Sequence, residues 1–254
     1  MHGSTFDSIH LNFVIDGKPI EYVNSFTHLG HTISCTLADN EDIALRKSDF
    51  TSQVNNMLCF FKSLGLSVRC KLFRAYCTSL YGCELWLLTN GAIEGLCTAW
   101  RKSLRAVWRL PYRTHNFLLP IISECLPLFD EICRRSLNFI RSCTLHPSNV
   151  VPFITLHAIF HGRGTSLCGQ NMLFCSQRYG FSFNTALRVG LPIKEIIGNF
   201  AMDFLTDGER CAAAFLTELL QIRDQQLHLS FLTIDEISDL IEYVSTCCVN
   251  DASL

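Results

Sequence analysis

The residues best suited to chemistry in this sequence are arginines at regular spacing on one predicted helix. Arg101, Arg105 and Arg109 stand four residues apart, with Lys102 beside them and Arg113 just beyond the helix. Side chains at i and i+4 share one face of a helix, and successive members of this row are about 6 Å apart along its axis. Phosphates recur at about 3.4 Å along one strand of a duplex, so the row could contact alternate phosphates. The spacing therefore predicts electrostatic binding of a polyanion.

A second interpretation of these arginines stays open. Basic residues continue on the neighbouring predicted helices, and the solvated faces of amphipathic helices show the same pattern. Few acidic residues alternate with them, which favours binding over simple solvation. The further basic residues are Arg46, Lys47, Lys62, Arg69, Lys71, Arg74, Arg134 and Arg141.

The net charge hides a strong segregation along the chain. The 254 residues contain 21 Lys and Arg against 23 Asp and Glu, which gives a formal charge of -2. Residues 40–194 hold eighteen basic and eight acidic side chains, a charge of +10, whereas residues 195–254 hold two basic and eleven acidic ones, a charge of -9. The middle of the chain can therefore face a polyanion although the whole chain is slightly acidic.

No catalytic motif is recognisable. Two-metal phosphoryl transfer needs acidic residues that hold two ions about 3.5–4 Å apart, and the sequence has no adjacent pair of aspartates. P-loops, nucleophile elbows and His-Glu-x-x-His helices are also missing. His157, His161, Cys168 and Cys175 are zinc-ligand types, but these two cysteines are seven positions apart, whereas paired ligands usually stand closer. We expect no catalytic residue, no metal ligand and no cofactor in this chain.

The cysteines and the apolar runs indicate an intracellular protein. The fourteen cysteines show no regular disulfide spacing, so free thiols in a reducing compartment are expected. The start of the chain lacks a basic region followed by an apolar run, so no secretory signal is predicted. The most apolar run, Leu80 to Leu88, is much shorter than the about 20 residues that span a bilayer. We expect a protein of the cytoplasm or nucleus that is neither secreted nor inserted in a membrane.

The hydrophobic pattern predicts a mainly α fold with a short N-terminal β-hairpin or meander. Strands are predicted over residues 11–15, 20–23 and 26–34, with Asp16-Gly17 as a hairpin turn. From Asn40 the apolar period changes to 3.6, which predicts a bundle of three helices. These helices are expected from residue 40 to Leu64, from the cap Ser67 to Asn90, and from Ala92 to Leu110.

Four segments follow from this pattern. Residues 1–38 form the β-hairpin segment, residues 39–143 a helical bundle, residues 144–194 an irregular connection with short helices, and residues 195–254 an acidic helical end. A further amphipathic helix is predicted over residues 129–143, within the bundle. The acidic end is predicted to contain a helix that begins near Ile193 and runs to Arg223, and a second helix over residues 233–247 with a Thr233–Glu236 capping box.

Three segments of the sequence also carry a resemblance to a known family. Phe26 to Ser34, with Leu29-Gly30 at its centre, is similar to an aromatic-Leu-Gly hairpin, and Leu80 to Trp86 reads Leu-Tyr-Gly-Cys-Glu-Leu-Trp. Trp100 to His115 is similar to a basic helix with a following turn. In this order, the segments resemble the C-terminal part of reverse transcriptases from LINE-type, non-LTR retrotransposons of the jockey-like branch. The resemblance extends from about residue 9 to residue 247.

The resemblance implies a palm end, a helical thumb and a helical tail. It implies that Leu29 and Gly30 belong to a primer grip, where Gly30 allows close backbone approach because it has no Cβ. It implies phosphate contacts to an RNA–DNA or DNA duplex, without sequence preference, from Arg101, Lys102, Arg105, Arg109 and Arg113.

A complete enzyme of this family is an RNA-directed DNA polymerase that uses magnesium ions. Its fingers and most of its palm, with the Asp-Asp strand that holds these ions, would precede Met1. We therefore expect this chain to be catalytically inactive by itself. The missing fingers and palm are a further candidate partner.

An alternative hypothesis gives the chain no role with nucleic acid. It would then be a decayed or domesticated helical module that binds a protein partner. The nineteen phenylalanines and the positive mean hydropathy indicate apolar surface for such a contact. Measuring duplex affinity against salt separates the two hypotheses, because phosphate contacts weaken steeply as salt rises.

Overall fold

The computed structural model describes residues 13–182, 192–203, 205–225 and 233–247. Within them the fold is mainly α with β-hairpins at the N-terminal side, as predicted. Strand β1 (Val14–Ile15) pairs antiparallel with β2 (Lys18–Pro19), and β3 (Ser25–His28) pairs antiparallel with β4 (His31–Ser34). Residues 11 and 12 of the first predicted strand lie outside the described residues.

Both hairpins turn on a pair of residues with left-handed backbone. The φ angles are 51° and 77° at Asp16 and Gly17, and 49° and 80° at Leu29 and Gly30. Two positive φ angles in succession are typical of the type I′ turn, whose twist matches that of paired strands. The Asp16-Gly17 turn is confirmed. The continuous strand predicted over residues 26–34 is instead two strands joined at Leu29 and Gly30, which is the hairpin form that the resemblance implies, and the strand predicted over residues 20–23 is wrong.

Ten α-helices follow in the described part of the chain. The first three are α1 (Asn40–Phe60), α2 (Leu66–Leu72) and α3 (Ala92–Trp108). The next four are α4 (Leu118–Ile122), α5 (Leu128–Thr144), α6 (Val150–Phe160) and α7 (Leu167–Tyr179). The last three are α8 (Ile193–Asp203), α9 (Asp207–Asp224) and α10 (Ile234–Cys247).

The long second helix predicted up to Asn90 is wrong. After α2 the chain makes one π-helical turn, Phe73–Cys77, and then leaves the helix. Gly82 has a φ of 82°, which a right-handed helix cannot include. The predicted buried stripe is also shifted, because Val68 and Tyr76 are 46% and 67% exposed. Phe73, Cys77 and Leu80, which the same apolar period places on this helix, are buried as expected, and Leu66 and Cys70 are buried in addition.

The region predicted as an irregular connection contains two regular helices, α6 of 11 residues and α7 of 13. Its glycines suggested a loop, but two of them allow α6 and α7 to approach closely. A Cβ at Gly169 would lie 2.7 Å from the carbonyl oxygen of Gly162 and 2.8 Å from that of Ala158. Gly162 and Gly169 are therefore needed for close packing of the two helices. From local sequence alone, such glycines look the same as glycines of a turn.

The helix predicted from Ile193 to Arg223 is split into α8 and α9. Thr206 caps α9 through a capping box, in which its hydroxyl accepts the Glu209 N–H at 3.3 Å and the Glu209 carboxylate accepts the Thr206 N–H at 2.8 Å. A cap of this kind begins a new helix, so the two segments cannot be continuous. The predicted Thr233–Glu236 box is confirmed, with the matching distances 3.2 and 2.6 Å.

One hydrophobic cluster joins the helices. In it α1 packs on α3, α5 contacts α3, α6, α7 and α8, and α9 contacts α4 and α10. The buried faces predicted for the first and third helices are largely confirmed; Phe61 and Leu64 are exceptions, because α1 ends before them. No helix in the described residues is both long enough and apolar enough to cross a membrane. The confirmed buried residues include Ile43, Phe50, Val54, Met57, Ile93, Leu96, Trp100, Leu104 and Val107.

Candidate nucleic-acid interface

One buried carboxylate fixes the β3–β4 hairpin to the helices. Asp42, in the first turn of α1, is completely buried. Its Oδ1 accepts the backbone N–H of Thr32 at 3.0 Å, and its Oδ2 accepts the indole N–H of Trp86 at 2.8 Å. His31 Nδ1 lies 3.1 Å from the same Oδ2. Asp42 therefore joins the hairpin, α1 and the segment that ends at Trp86.

Gly82 is required at this junction for two reasons. Its φ of 82° lies in the left-handed region, and a Cβ there would lie 2.9 Å from His31 Nδ1. Beyond it, the backbone N–H of Leu87 donates to Asp39 Oδ2 at 2.7 Å. Burial raises the pKa of Asp39, while this hydrogen bond acts in the opposite direction. The segment around Gly82 is thus a clamp between elements and not the helix that the sequence predicted.

A buried amide extends the junction to α7. Asn171 is 1% exposed, and its Oδ1 accepts the backbone N–H of Leu88 at 2.9 Å. Its Nδ2 donates to the carbonyl of Trp86 at 2.8 Å and to Ser136 Oγ at 3.2 Å. Sequence reasoning missed Asn171, because nothing in its local pattern indicates that a distant backbone segment needs both its donor and its acceptor.

The turn of the β3–β4 hairpin is exposed at its outer side. Leu29 is 74% exposed, and Phe26 in β3 is 60% exposed. The Gly30 carbonyl accepts a hydrogen bond from the guanidinium of Arg46. A Cβ at Gly30 would meet only Arg46 Nη2, at 3.7 Å, which is ordinary contact. Within this chain Gly30 is therefore needed for its φ of 80° and not for space.

The arginines of the predicted row have different bonding partners in the structure. Arg101 bonds to residues of its own helix. Its guanidinium pairs with Glu94 and donates to Thr98 Oγ1 at 3.0 Å. Arg101, Trp100 and Phe129 also line a cavity of about 620 Å³. Residues of α3, α4, α5, α8 and α9 form its walls. Arg101 is thus bonded to two neighbours on its own helix.

Arg105 stabilises the turn that follows α3. Its guanidinium donates to the Thr114 carbonyl at 2.7 and 3.2 Å and to Asn116 Oδ1 at 2.7 Å. Burial lowers the pKa of Arg105, and the nearby charge of Arg101 acts in the same direction. Both observations indicate a structural role for Arg105, whose guanidinium forms hydrogen bonds with protein oxygens in place of water.

Arg109 lies beyond the end of α3, with a left-handed φ of 51°. Its guanidinium donates to the Lys62 carbonyl at 3.1 Å, just past α1. Arg223 at the end of α9 in turn donates to the carbonyls of Trp108 at 2.6 Å and Arg109 at 3.1 Å. Arg223 therefore caps the C-terminus of α3, where carbonyl oxygens have no helical partner. No local pattern predicts this cap, because the two residues are 114 positions apart.

Besides Arg109, which is exposed but bonds the Lys62 carbonyl, Lys102 and Arg113 are the basic residues of the predicted site that the structure leaves exposed. No hydrogen bond or ion pair joins either side chain to another residue of the described ranges. Lys47, Lys62 and Lys71 are exposed cations on the neighbouring elements. The basic surface around α3 therefore presents separate lysines together with Arg109 and Arg113, and Arg101, Arg105 and Arg109 are each bonded within the protein.

The remaining candidates for chemistry are not assembled into a site. His157 and His161 have ring centroids 4.8 Å apart, whereas Cys175 is buried beside Cys133, and this neighbour and the burial raise the pKa of Cys175. No group of three or more His, Cys, Asp or Glu in the described residues is placed to hold a metal ion. The twelve cysteines from Cys35 to Cys211 are free thiols. Burial raises the pKa to about 12 at Cys70, Cys83 and Cys97, so these thiols stay protonated.

No family model, curated protein or solved structure is significantly similar to this chain. Its function is therefore inferred from its own residues and contacts.

Proposed function

We propose that this chain is the hairpin and thumb part of a LINE-type reverse transcriptase and that it binds a primer–template duplex through the phosphates. The observation that carries the proposal is the junction at Asp42, where two of the three segments behind the resemblance meet. The β3–β4 hairpin binds Asp42 through Thr32, and the Leu80–Trp86 segment binds it through Trp86. Segments that are far apart in sequence thus form one unit, which supports a common origin of their resemblance.

The exposed turn of this unit suits contact with a primer end. The junction holds the base of the hairpin against α1, while Leu29 at the tip stays exposed. Gly30 presents backbone without a Cβ, so another chain can approach it closely. No catalytic residue is proposed in the chain, and the magnesium ions would belong to the complete enzyme.

The duplex contacts are proposed to come from the exposed cations. Lys102 on α3, Arg113 after it and Lys71 on α2 have no acidic partner among the described residues. Contacts of this kind to phosphate carry no sequence information, so binding would be nonspecific. Arg101 and Arg105 would act indirectly, by fixing α3 and the turn that follows it.

Reversing the charge of both Lys102 and Arg113 to glutamate is expected to weaken duplex binding at least about tenfold. Each lost phosphate contact should also lower the slope of log affinity against log salt by about one. Fluorescence anisotropy with an RNA–DNA hybrid, titrated between about 50 and 200 mM salt, measures both quantities.

Two controls separate this effect from general loss of charge or of structure. A double reversal at Lys18 and Lys194, outside α3, changes the net charge equally and should leave the slope close to that of the wild type. Arg105→Gln should lower stability without changing the slope, because its bonds go to protein oxygens. Wild-type affinity and slope in the Lys102 and Arg113 variant would exclude these residues as duplex contacts.

A second candidate function, protein binding, is favoured by α6. This helix has no acidic residue, lysine or arginine, and Val150, Phe153 and Ile154 on it are 62%, 70% and 60% exposed. An exposed apolar face of this kind is typical of a protein interface. Because the face carries neither sign of fixed charge, a second copy of the chain can pack on it without like charges meeting.

Replacing Phe153 and Ile154 with serine is expected to abolish self-association through α6. Sedimentation velocity over a range of protein concentrations measures the association. The unfolding free energy should change by no more than about 0.5 kcal/mol, because both side chains are largely exposed. Wild-type protein that remains monomeric at its highest soluble concentration would rule out this assembly.

A further inference from the structure

Arg69 on α2 is a buried cation without a hydrogen-bond or ion-pair partner among the described residues. The residue is 3% exposed, and its Nε is buried without a hydrogen-bond partner. No hydrogen bond or ion pair joins its guanidinium to any residue that the structure describes. Buried charges are normally paired, because the loss of hydration otherwise costs several kcal/mol. An unsatisfied buried donor in a folded protein points to an ion or water that fills the remaining place.

Two further arginines, Arg109 and Arg223, lie close enough to Arg69 for their positive charges to interact. Burial lowers the pKa of Arg69, and the charge of Arg109 lowers it further. Burial likewise lowers the pKa of Arg223, with Arg109 and Arg69 as additional causes. Arg69 is buried, Arg223 is half-buried and Arg109 is exposed, so the three like charges repel one another at the edge of the protein, and this repulsion favours an anion between them.

The acidic residue beside this cluster is engaged elsewhere. Both carboxylate oxygens of Asp224 accept the backbone N–H of Leu66 at 2.8 Å, which caps the start of α2. Asp224 raises the pKa of Arg69 and of Arg223, but the effects of burial and of Arg109 are larger in each case. One carboxylate against three guanidiniums leaves the cluster with a net positive charge.

Arg109 and Arg223 are fixed in place and still have donors available. Arg109 donates to one carbonyl, that of Lys62, and Arg223 donates to the carbonyls of Trp108 and Arg109. A guanidinium has five N–H donors, so each side chain keeps some that these bonds do not use. Rigid, planar donor groups of this kind match the oxygens of phosphate.

We propose that Arg69, Arg109 and Arg223 form a binding site for a phosphate group. The site lies where the end of α1 and the start of α2 meet the C-terminal ends of α3 and α9. The phosphate is either that of a nucleic-acid backbone, in which case this inference rests on the proposed function, or a free phosphate ion. Both sources present the same tetrahedral oxyanion to the three side chains.

Inorganic phosphate tests the site on the whole chain. The thermal midpoint of the wild type should rise with phosphate at constant ionic strength, and Arg69→Met should abolish the rise or weaken the phosphate Kd at least about tenfold. In buffer without phosphate, Arg69→Met should be as stable as the wild type or more stable, because it removes an unpaired buried charge. Calorimetric titration supplies the Kd.

The matched control is Lys71→Gln, which removes one exposed positive charge from the same helix. It should keep the full response to phosphate, and a loss equal to that of Arg69→Met would overturn the site. A full response in Arg69→Met would overturn it as well. If Arg69→Met does not fold, Arg109→Gln takes its place, because it also removes a guanidinium from the cluster and predicts the same loss.

A duplex titration identifies the source of the phosphate and separates failure of the site from failure of the proposed function. Weaker binding of an RNA–DNA hybrid by Arg69→Met, with normal binding by Lys71→Gln, would assign the backbone as ligand. A phosphate response without any duplex binding would support the site and contradict the proposed function. Duplex binding that depends on Lys102 and Arg113, with no phosphate response at Arg69, would contradict the site alone.

Discussion

Replacing Asp42 with alanine is expected to lower the free energy of unfolding by about 3–5 kcal/mol. The change removes the acceptor for the buried indole N–H of Trp86 and for the backbone N–H of Thr32. It also leaves His31 without the carboxylate that lies 3.1 Å away. Asp42→Asn keeps one acceptor oxygen and should lose less. Urea denaturation followed by tryptophan fluorescence measures the difference, and Trp86 reports on the affected site directly.

Asp49→Ala on the same helix is the matched control. The Asp49 side chain is half exposed, and its oxygen lies 3.8 Å from Arg46. Exposed ion pairs of this kind contribute little to stability, so the unfolding free energy of this variant should fall by no more than about 1 kcal/mol. An equal loss in the Asp42 and Asp49 variants would contradict the role of Asp42 as the anchor of the hairpin.

Replacing Gly82 with alanine is expected to lower the free energy of unfolding by about 2–5 kcal/mol. An alanine at a φ of 82° is strained, and its Cβ would come within 2.9 Å of His31 Nδ1. The His31→Ala change removes the side chain that this Cβ would meet. The double variant should therefore lose less unfolding free energy than the sum of the losses in the two single variants. A double-mutant cycle of unfolding free energies measures this coupling, which should be on the order of 1 kcal/mol.

Gly91→Ala provides the comparison for Gly82. Its φ is -62°, and a Cβ there would meet nothing within 4 Å. Alanine should therefore leave stability unchanged or raise it by about 0.4–1 kcal/mol, through the lower entropy of the unfolded chain. Strictly additive losses at Gly82 and His31 would show that their contact contributes nothing.

Several helices were predictable, because their apolar residues recur at the helical period and local signals mark their ends. The pattern predicted α1, α3 and α5, and the capping box at Thr233 marked the start of α10. The same period continued through Val68 and Tyr76, which led to a helix that is too long. The contacts that end this helix are not local, since Trp86 binds Asp42 across 44 positions and Leu88 binds Asn171 across 83.

The candidate site was predictable only as a set of basic residues. Four-residue spacing placed Arg101 and Arg105 on one face, but it did not indicate which carbonyl and carboxylate oxygens lie within reach. Arg105 finds the Thr114 carbonyl because the chain turns back after Pro111. The burial of Arg69 was not predicted, because a basic residue on an amphipathic helix is expected on the solvated face.

The junction at Asp42 also constrains the order in which the protein folds. A two-stranded hairpin the size of β3–β4 is at best marginally stable by itself. The carboxylate that fixes it is shared with Trp86, 44 residues further along the chain. Closing a loop of this length costs entropy before the contact is made. The bond from Thr32 to Asp42 spans only 10 positions, so we expect the hairpin to dock on α1 early and the junction to be completed late, when the Gly82–Trp86 segment reaches Asp42.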